Sequence, residues 1–355
     1  MYVDCEGDFT VPITLSKVSS ENGLTRYAGE YVDEPYLDLL NREGDKVGAF
    51  SKDELLAQED LFIPKSYRFD MFDLAYKAFV ELGFSKKKPS YFRNNASDFV
   101  EKMRDYSWNE FIPAERAFTI DMLKKLIDYG KVSKLCAGDA IEQFVADYVD
   151  HIYDLSLSNT QSRRSRGGKD FESIIELLMI AANVPCESQA ALGKSCFTER
   201  SLGKVVDLVS PGCVQYLANK RNTVLISAKT TLRERWQEVP EEVTRTGCRE
   251  MYLATLDKNI TRETLSILYD ANVIIVTTQQ FKQTCYSNDS RILSFEELIH
   301  VILETAQKWE SFVYSDDDVE LLKRDITAQI ENHSEHPFVE SYYQERLRQL
   351  LSGQT

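Results

Sequence analysis

One stretch, residues 223–242, constrains the fold and the chemistry of this chain more than any other. Its apolar run at 224–226 predicts a buried strand, and a helix is predicted from about 231 to 246. Lys229 lies between them. Because burying an unpaired ammonium is costly, Lys229 must lie beside carboxylates or face water. A lysine whose stem lies along the end of a strand, with its ammonium in solvent, is the simpler alternative.

Three carboxylates are placed to meet this lysine. Asp207 lies in another apolar run and meets Lys229 if the two predicted strands pair as a hairpin. Glu172 lies in a predicted amphipathic helix over 170–183, and Glu242 follows Lys229 by about three helical turns. Carboxylate oxygens suit Mg²⁺, which lowers the pKa of a bound water and offsets charge on a phosphate. The four residues therefore predict metal-dependent phosphodiester hydrolysis, in which Lys229 orients or helps to deprotonate the attacking water.

This pattern resembles the PD-(D/E)xK nuclease core, with one departure. The position two residues before the lysine, which usually holds an acid, is Ser227. A known variant of the core moves that acid to the following helix, where Glu242 fits. The nearest resemblance is to the EcoRII/SsoII/PspGI group of type II restriction endonucleases, on Asp207, Ser227-Ala-Lys229, Arg233-Glu-Arg-Trp236 and Glu242 in this order and spacing.

The resemblance implies an α/β fold with a mixed central sheet flanked by helices and a mainly helical N-terminal region. It also implies catalytic roles for Glu172, Asp207, Lys229 and Glu242, with Asp207 and Glu242 as ligands of Mg²⁺. We expect residues 1–156 to form the accessory region that contacts DNA and holds a base pocket. Residues 157–355 would then form the nuclease core with a C-terminal helix.

Base recognition is predicted for Arg233, Glu234 and Arg235. Arginine pairs bidentately with guanine, and glutamate accepts a hydrogen bond from cytosine N4, so the triplet suits G·C pairs in a major groove. The resemblance implies that it reads the CC/GG part of the site, and that Gln161 touches the outer pairs from the minor groove. Taken in isolation, the triplet is also compatible with the solvated first turn of a helix.

A second pair, Arg104 and Trp108, precedes the core at a spacing of four residues. Members of the resembled group hold a flipped base against such a pair, and an indole with a guanidinium returns stacking energy to an unstacked base. The resemblance therefore implies a CC-N-GG type of site, with or without flanking pairs, cut before the first C of each strand. An ordinary core position for Trp108 is the alternative.

The polar segment 156–169 contains a cluster of cations that precedes the helix bearing Glu172. Backbone phosphates are their natural partners, although a simple linker has the same composition. The formal net charge of −15 argues against nucleic acid on average, but a DNA cleft needs only local positive charge. The predicted backbone contacts are Arg163, Arg164, Arg166 and Lys169.

The composition predicts a globular cytoplasmic protein, and the resemblance implies that its source is a bacterium. Hydrophobic residues make up 43% of the chain, no apolar run reaches 18 residues, and the acidic start is unlike a signal peptide. The seven cysteines stand singly, which favours reduced thiols and argues against zinc.

Between 170 and 310 the predicted order is α, β, β, α, β, α, β, α. The strand runs near 250 and 272 should be parallel because a helix separates them. Helical periodicity fills 66–156, with separate helices near 96–106, 114–129 and 140–155. A final helix is predicted over about 319–351.

We expect double-stranded DNA as the partner and no membrane association. Two-fold symmetric DNA favours a homodimer, although the sequence does not distinguish a dimer from a tetramer. A cognate DNA methyltransferase is an expected genetic partner by resemblance only. Two rival interpretations are a non-sequence-specific repair or junction nuclease with the same core, and a binding or scaffold protein with an inactive site, against which the intact acids and lysine argue.

Overall fold

The computed structural model describes residues 70–202, 205–233, 235–286 and 289–352, together with the backbone of four strands before residue 52. The chain divides into two compact units, one of 1–73 with 108–167 and one of 74–107 with 168–355. Both long helices of the chain contribute to each unit. The boundary predicted between residues 156 and 157 separates an accessory region from a nuclease core by function, and it stays a prediction.

The first unit begins with a small sheet whose strands are ordered β2-β1-β3-β4. β1 and β3 are parallel, and the other pairs are antiparallel. The four strands are β1 Thr14–Ser19, β2 Arg26–Ala28, β3 Tyr36–Leu40 and β4 Lys46–Ser51.

Helices form the rest of the described part of this unit. They are the second half of α3 (Ala96–Lys125), the short α4 (Tyr129–Val132) and the first part of α5 (Ala137–Ala181). Phe111, Phe118, Met122, Leu126 and Leu155 form their apolar core. α5 runs through 156–169 without a break, so the linker interpretation of that segment is wrong. Its only non-helical residue is Tyr148, with φ −123° and ψ 18°.

The second unit contains a six-stranded mixed sheet in the order β10-β9-β8-β7-β6-β5. β7, β8, β9 and β10 are parallel neighbours, whereas β5–β6 and β6–β7 are antiparallel. This confirms the predicted mixed sheet, the hairpin-like pairing around Asp207 and the parallel runs near 250 and 272. The strands are β5 Glu187–Ser188, β6 Leu208–Ser210, β7 Val224–Lys229, β8 Met251–Thr255, β9 Val273–Thr277 and β10 Ile292–Ser294.

Helices flank this sheet and bury apolar side chains from strands and helices in one core, which includes Phe197, Tyr216, Leu225 and Leu253. The helices that lie wholly or mostly within this unit are α1 Met71–Glu81, α2 Pro89–Asn94, α6 Gln189–Leu192, α7 Lys194–Glu199, α8 Cys213–Ala218, α9 Glu238–Thr246, α10 Arg262–Asp270, α11 Gln279–Thr284, α12 Phe295–Gln307, α13 Asp316–Asn332 and α14 Pro337–Leu351. Among the residues described, no helix has both the length and the hydrophobicity to cross a membrane.

Two helix boundaries differ from the prediction. The predicted C-terminal helix is interrupted between Asn332 and Pro337, because proline lacks the N–H that would continue the preceding helix. The separate helices predicted at 96–106 and 114–129 are one helix, α3, which contains Pro113. Sequence periodicity identified the helical regions correctly but not their ends.

Candidate active site

Asp207 lies immediately before β6, where two neighbouring segments hold its backbone. Its N–H donates to the carbonyl of Ile226 at 2.9 Å, and its carbonyl accepts from the N–H of Gln189 at 2.8 Å. Since β6 and β7 are antiparallel, this places the Asp207 side chain beside the carboxyl end of β7, where Lys229 is the last residue.

Asp207 and Lys229 meet as the predicted strand pairing requires. Lys229 Nζ donates to Asp207 Oδ2 at 3.1 Å. The same oxygen accepts from the backbone N–H of Ala228 at 2.6 Å and from the hydroxyl of Ser227 at 3.4 Å. Ser227, which replaces the usual acid, is fully buried and contributes a donor to the carboxylate. Among the described residues all three hydrogen bonds reach Oδ2, which leaves Oδ1 as the oxygen able to bind a ligand.

Glu172 is the second carboxyl of this cluster. Burial and then the negative charge of Asp207 raise the pKa of Glu172 to about 7, whereas Lys229, Lys169 and Lys194 oppose this rise. Burial also raises the pKa of Asp207, and the contacts with Lys229 and the Ala228 N–H oppose it. Two carboxyls thus lie near one lysine, and ionising both of them at once is unfavourable. A hard divalent cation is the kind of ligand that would allow both to be charged.

Glu242 has a different partner. It lies in α9 beside the buried Val239 and Val243, and its Oε2 accepts from Arg245 Nε at 2.9 Å and Nη2 at 2.6 Å. Within the described part of the chain, no group of three His, Cys, Asp or Glu side chains is close enough to hold a metal ion. The carboxyls near Lys229 are thus those of Asp207, in contact with it, and of Glu172, within electrostatic reach, whereas Glu242 pairs with Arg245. The role of Glu242 as a metal ligand stays a prediction.

The predicted recognition triplet does not open a helix. After β7 the chain is irregular, a 3₁₀ turn spans Arg235–Gln237, and α9 begins only at Glu238. The predicted helix start at 231 is therefore wrong. Arg233 is exposed and has a left-handed φ of 41°. Glu234 and the side chain of Arg235 lie outside the described residues.

The residues predicted to contact DNA in the polar segment lie on α5. Gln161 and Arg164 are exposed. Arg163 is half exposed and binds the buried Glu115 of α3, with Nε at 2.8 and 2.6 Å from the two carboxylate oxygens. An arginine tied to a carboxylate in this way positions a helix and retains only part of its capacity for a phosphate.

Arg166 and Lys169 occupy different environments. Arg166 is buried, with its guanidinium 5.2 Å from the centroid of the Phe111 ring, so a phosphate contact would require this side chain to leave its place. Lys169 is half-buried and near enough to Glu172 to lower the pKa of that carboxyl. Lys169 thus lies within electrostatic reach of the carboxyl that neighbours Asp207 and Lys229.

Arg104 and Trp108 both belong to α3. Arg104 forms an ion pair with the buried Asp170. Burial raises the pKa of Asp170, and the Arg104 charge offsets part of this rise. Trp108 is 43% exposed, and its ring centroid lies 5.9 Å from that of Phe111. An indole this exposed is not a core side chain, which argues against the alternative interpretation of Trp108.

The sequence interpretation overlooked Lys194 and Asp257. Lys194 begins α7 and lies within electrostatic reach of Glu172. Asp257 follows β8, and its Oδ2 accepts from the N–H of Leu232 at 3.0 Å. A signal for Asp257 was available, because polar residues that follow parallel neighbouring strands gather at one edge of a sheet. Nothing in the spacing of Lys194 distinguishes it from other surface lysines.

Known proteins resemble this chain over most of its length. A model of the EcoRII C-terminal family matches residues 130–299. The type II restriction enzyme SsoII of Shigella sonnei is 53% identical over 287 residues, which cover 81% of this chain and 94% of SsoII. Two structures of metal-depleted Ecl18kI with uncleaved DNA, one of them with modified DNA, are 51% identical and cover 80% of this chain and 94% or 95% of theirs, with TM-scores of 0.76 and 0.75. With this identity and coverage, the chain belongs to the family of type II restriction endonucleases that includes SsoII.

Proposed function

We propose that this protein cuts double-stranded DNA at a CC-N-GG type of site, before the first C of each strand, by Mg²⁺-dependent hydrolysis. The observation that carries the proposal is the contact of Lys229 with Asp207 at 3.1 Å, beside the carboxyl of Glu172. A half-buried lysine that contacts one carboxylate and lies within electrostatic reach of a second, at the edge of a sheet, is suited to water activation next to a cation and a phosphate.

The chain's own residues divide the chemistry between them. Asp207 is held by backbone and side-chain donors through Oδ2, so Oδ1 would be the oxygen that ligates Mg²⁺. Lys229 orients the attacking water and helps to remove its proton, and Glu172 accepts or positions that proton. Glu242 would complete the ligand set after leaving Arg245. When bound, Mg²⁺ supplies charge stabilisation at the phosphate and a lower pKa of the water.

Sequence specificity is assigned to Arg233, Glu234 and Arg235 in the major groove, with Gln161 in the minor groove. Arg233 is supported by its exposure and by its position four residues after Lys229, which couples recognition to cleavage. Arg104 and Trp108 are proposed to hold an extruded central base, and the exposed indole supports this. Arg163, Arg164 and Lys169 are assigned to backbone phosphates, together with Arg166 if it leaves Phe111.

A homodimer is proposed because each strand of a two-fold symmetric site needs one catalytic centre. α5 carries exposed apolar side chains at Ile141, Val145, Val149 and Tyr153, which are 50–66% exposed. Clustered apolar exposure marks interaction surfaces. Ile141 and Val149 are equally distant in sequence from Val145, so two copies of this helix can pair antiparallel about Val145. A bacterial cytoplasmic location and a partner methyltransferase accompany this function as predictions.

Digestion of unmethylated plasmid tests the proposal. With Mg²⁺, the wild-type protein should give discrete fragments whose ends map to CC-N-GG sequences, and chelation of Mg²⁺ or Lys229→Ala should abolish them. Asp207→Ala should also lose cleavage and keep specific binding, because both residues act on the water and cation and not on base edges. A smear would favour the non-specific nuclease, and intact plasmid under all conditions would favour the binding protein.

A further inference from the structure

The segment that bears the recognition arginine is held by one acid outside it. Asp257 follows β8 at the same edge of the sheet where Lys229 ends β7. Its Oδ2 accepts from the N–H of Leu232 at 3.0 Å, and Leu232 immediately precedes Arg233. The two strands are hydrogen-bonded neighbours, so the acid connects the recognition segment directly to the sheet that carries the catalytic lysine.

Asp257 is itself held in place. Its Oδ1 accepts from the N–H of Asn259 at 2.9 Å, and its N–H donates to the hydroxyl of Thr255 at 3.1 Å. The hydroxyl of Tyr286, a buried residue, donates to its carbonyl. Each carboxylate oxygen thus has one backbone partner, which leaves the side chain one orientation in which both hydrogen bonds are satisfied.

Arg233 needs such a support because of its backbone conformation. Its φ of 41° lies in the left-handed region, which residues with a Cβ seldom adopt. Conformations of this kind persist where the surroundings enforce them. The hydrogen bond from the preceding residue to Asp257 is an enforcing contact that the structure shows, and the exposed side chain of Arg233 supplies none that holds the backbone.

A pocket of about 410 Å³ opens between the two segments. Leu232, Arg233 and Trp236 line one side, and Asp257, Asn259 and Thr261 line the other. With this space beside it, the backbone of the exposed Arg233 has room to change if the hydrogen bond from Leu232 to Asp257 is lost. The Leu232 side chain is 2% exposed and belongs to the apolar core, so the expected change is confined to the backbone around Arg233.

We infer that Asp257 is a positioning residue for sequence recognition, which holds the Leu232–Arg233 backbone in the conformation that presents Arg233 to a base pair. The inference rests on the proposed base-reading role of Arg233. Asp257 acts through the loop and touches neither the base nor the reacting phosphate. The Lys229–Asp207 contact does not involve Asp257. A substitution of Asp257 can therefore change sequence discrimination without changing the cleavage step.

The test measures cleavage of short duplexes that carry the cognate site or a single substituted base pair at each position, with the full-length protein. For Asp257→Ala, the ratio of kcat/KM on cognate to substituted duplex should fall about tenfold or more at the same base pair where Arg233→Ala loses discrimination. Elsewhere in the site the ratio should change much less. In the Arg233→Ala background, Asp257→Ala should add little further loss at that base pair, because both changes act through one contact.

Asn259→Ala is the matched control, since it removes a side chain from the same pocket and leaves the Asp257–Leu232 hydrogen bond. It should keep wild-type discrimination. Equal loss in Asn259→Ala would mean that the pocket itself touches DNA, and a uniform decline on all duplexes with Asp257→Ala would mean a merely structural role. Either result overturns the inference. A wild-type protein that does not discriminate among duplexes would instead refute the proposed function.

Discussion

Replacing Glu172 with glutamine should stabilise the metal-free protein above pH 7 while removing its cleavage activity. Burial and the Asp207 charge raise the pKa of Glu172 to about 7, from an ordinary value of 4.5. The folded state therefore binds this proton more tightly than the unfolded state does. The resulting stabilisation is present below pH 4.5 and is lost as the pH rises from 4.5 to 7.

The magnitude follows from the two pKa values. At about 1.4 kcal/mol per pH unit, the ionised carboxyl costs the folded protein about 3 kcal/mol above pH 7. Partial solvent contact of the side chain makes this an upper limit. Glutamine has no charge to bury, so its variant avoids that cost. Its advantage should be small at pH 5, where the folded wild-type carboxyl is still protonated.

Urea unfolding with a chelator present, at pH 5 and at pH 8.5, measures this difference. The free energy of unfolding of Glu172→Gln relative to wild type should rise by about 2 to 3 kcal/mol between the two pH values. Glu241→Gln, a change of an exposed carboxylate in the same unit, should show no such rise. A pH-independent difference for Glu172→Gln would refute the assigned coupling between burial, Asp207 and protonation.

Three further outcomes are expected. Asp325→Ala should cost about 3–5 kcal/mol in urea unfolding, because Arg200, which binds Asp325 at 2.5 and 2.8 Å, would be left buried without its partner; replacing both with apolar residues should cost much less. Trp108→Ala should weaken specific DNA binding by about 1–3 kcal/mol and reduce the fluorescence rise of 2-aminopurine at the central base, without a large loss of thermal stability, since the indole is exposed; an unchanged probe signal would contradict base flipping by Trp108. Val145→Asp should shift the sedimentation of the protein from that of a dimer to that of a monomer, because it places a charge at the centre of the proposed helix pairing. Glu142→Gln on the same helix should leave the sedimentation unchanged. A wild-type protein that sediments as a monomer would contradict the proposed pairing.

Much of the second unit was predictable because its sequence signals are local. The apolar runs around Asp207 and Lys229 identified two strands, and their pairing brought the two side chains together at 3.1 Å. The parallel strands β8 and β9 followed from apolar runs separated by a helix. In each case one face or both faces of the element are buried, so the hydrophobic pattern reports the structure directly.

The errors lie where a distant residue overrides a local preference. A helix was predicted to start at about 231, but the N–H of Leu232 binds Asp257, which is 25 residues away. The segment 156–169 has the composition of a linker, yet it continues α5 because Arg163 and Arg166 find partners on α3. The spacing of Glu242 from Lys229 likewise did not reveal that Arg245 on the same helix holds its carboxylate.

The sequence by itself determined the family, the mixed sheet and the Asp207–Lys229 pair, because residue order and hydrophobic period carry that information along the chain. Only the tertiary structure decided which of the other charged and polar groups meet. It kept Glu242 on Arg245, paired Arg163 with Glu115 and placed Asp257 beside the N–H of Leu232. The physical reason is that an ion pair or a hydrogen bond depends on distances of a few ångströms between elements. Such distances are set by packing and have no period in the sequence.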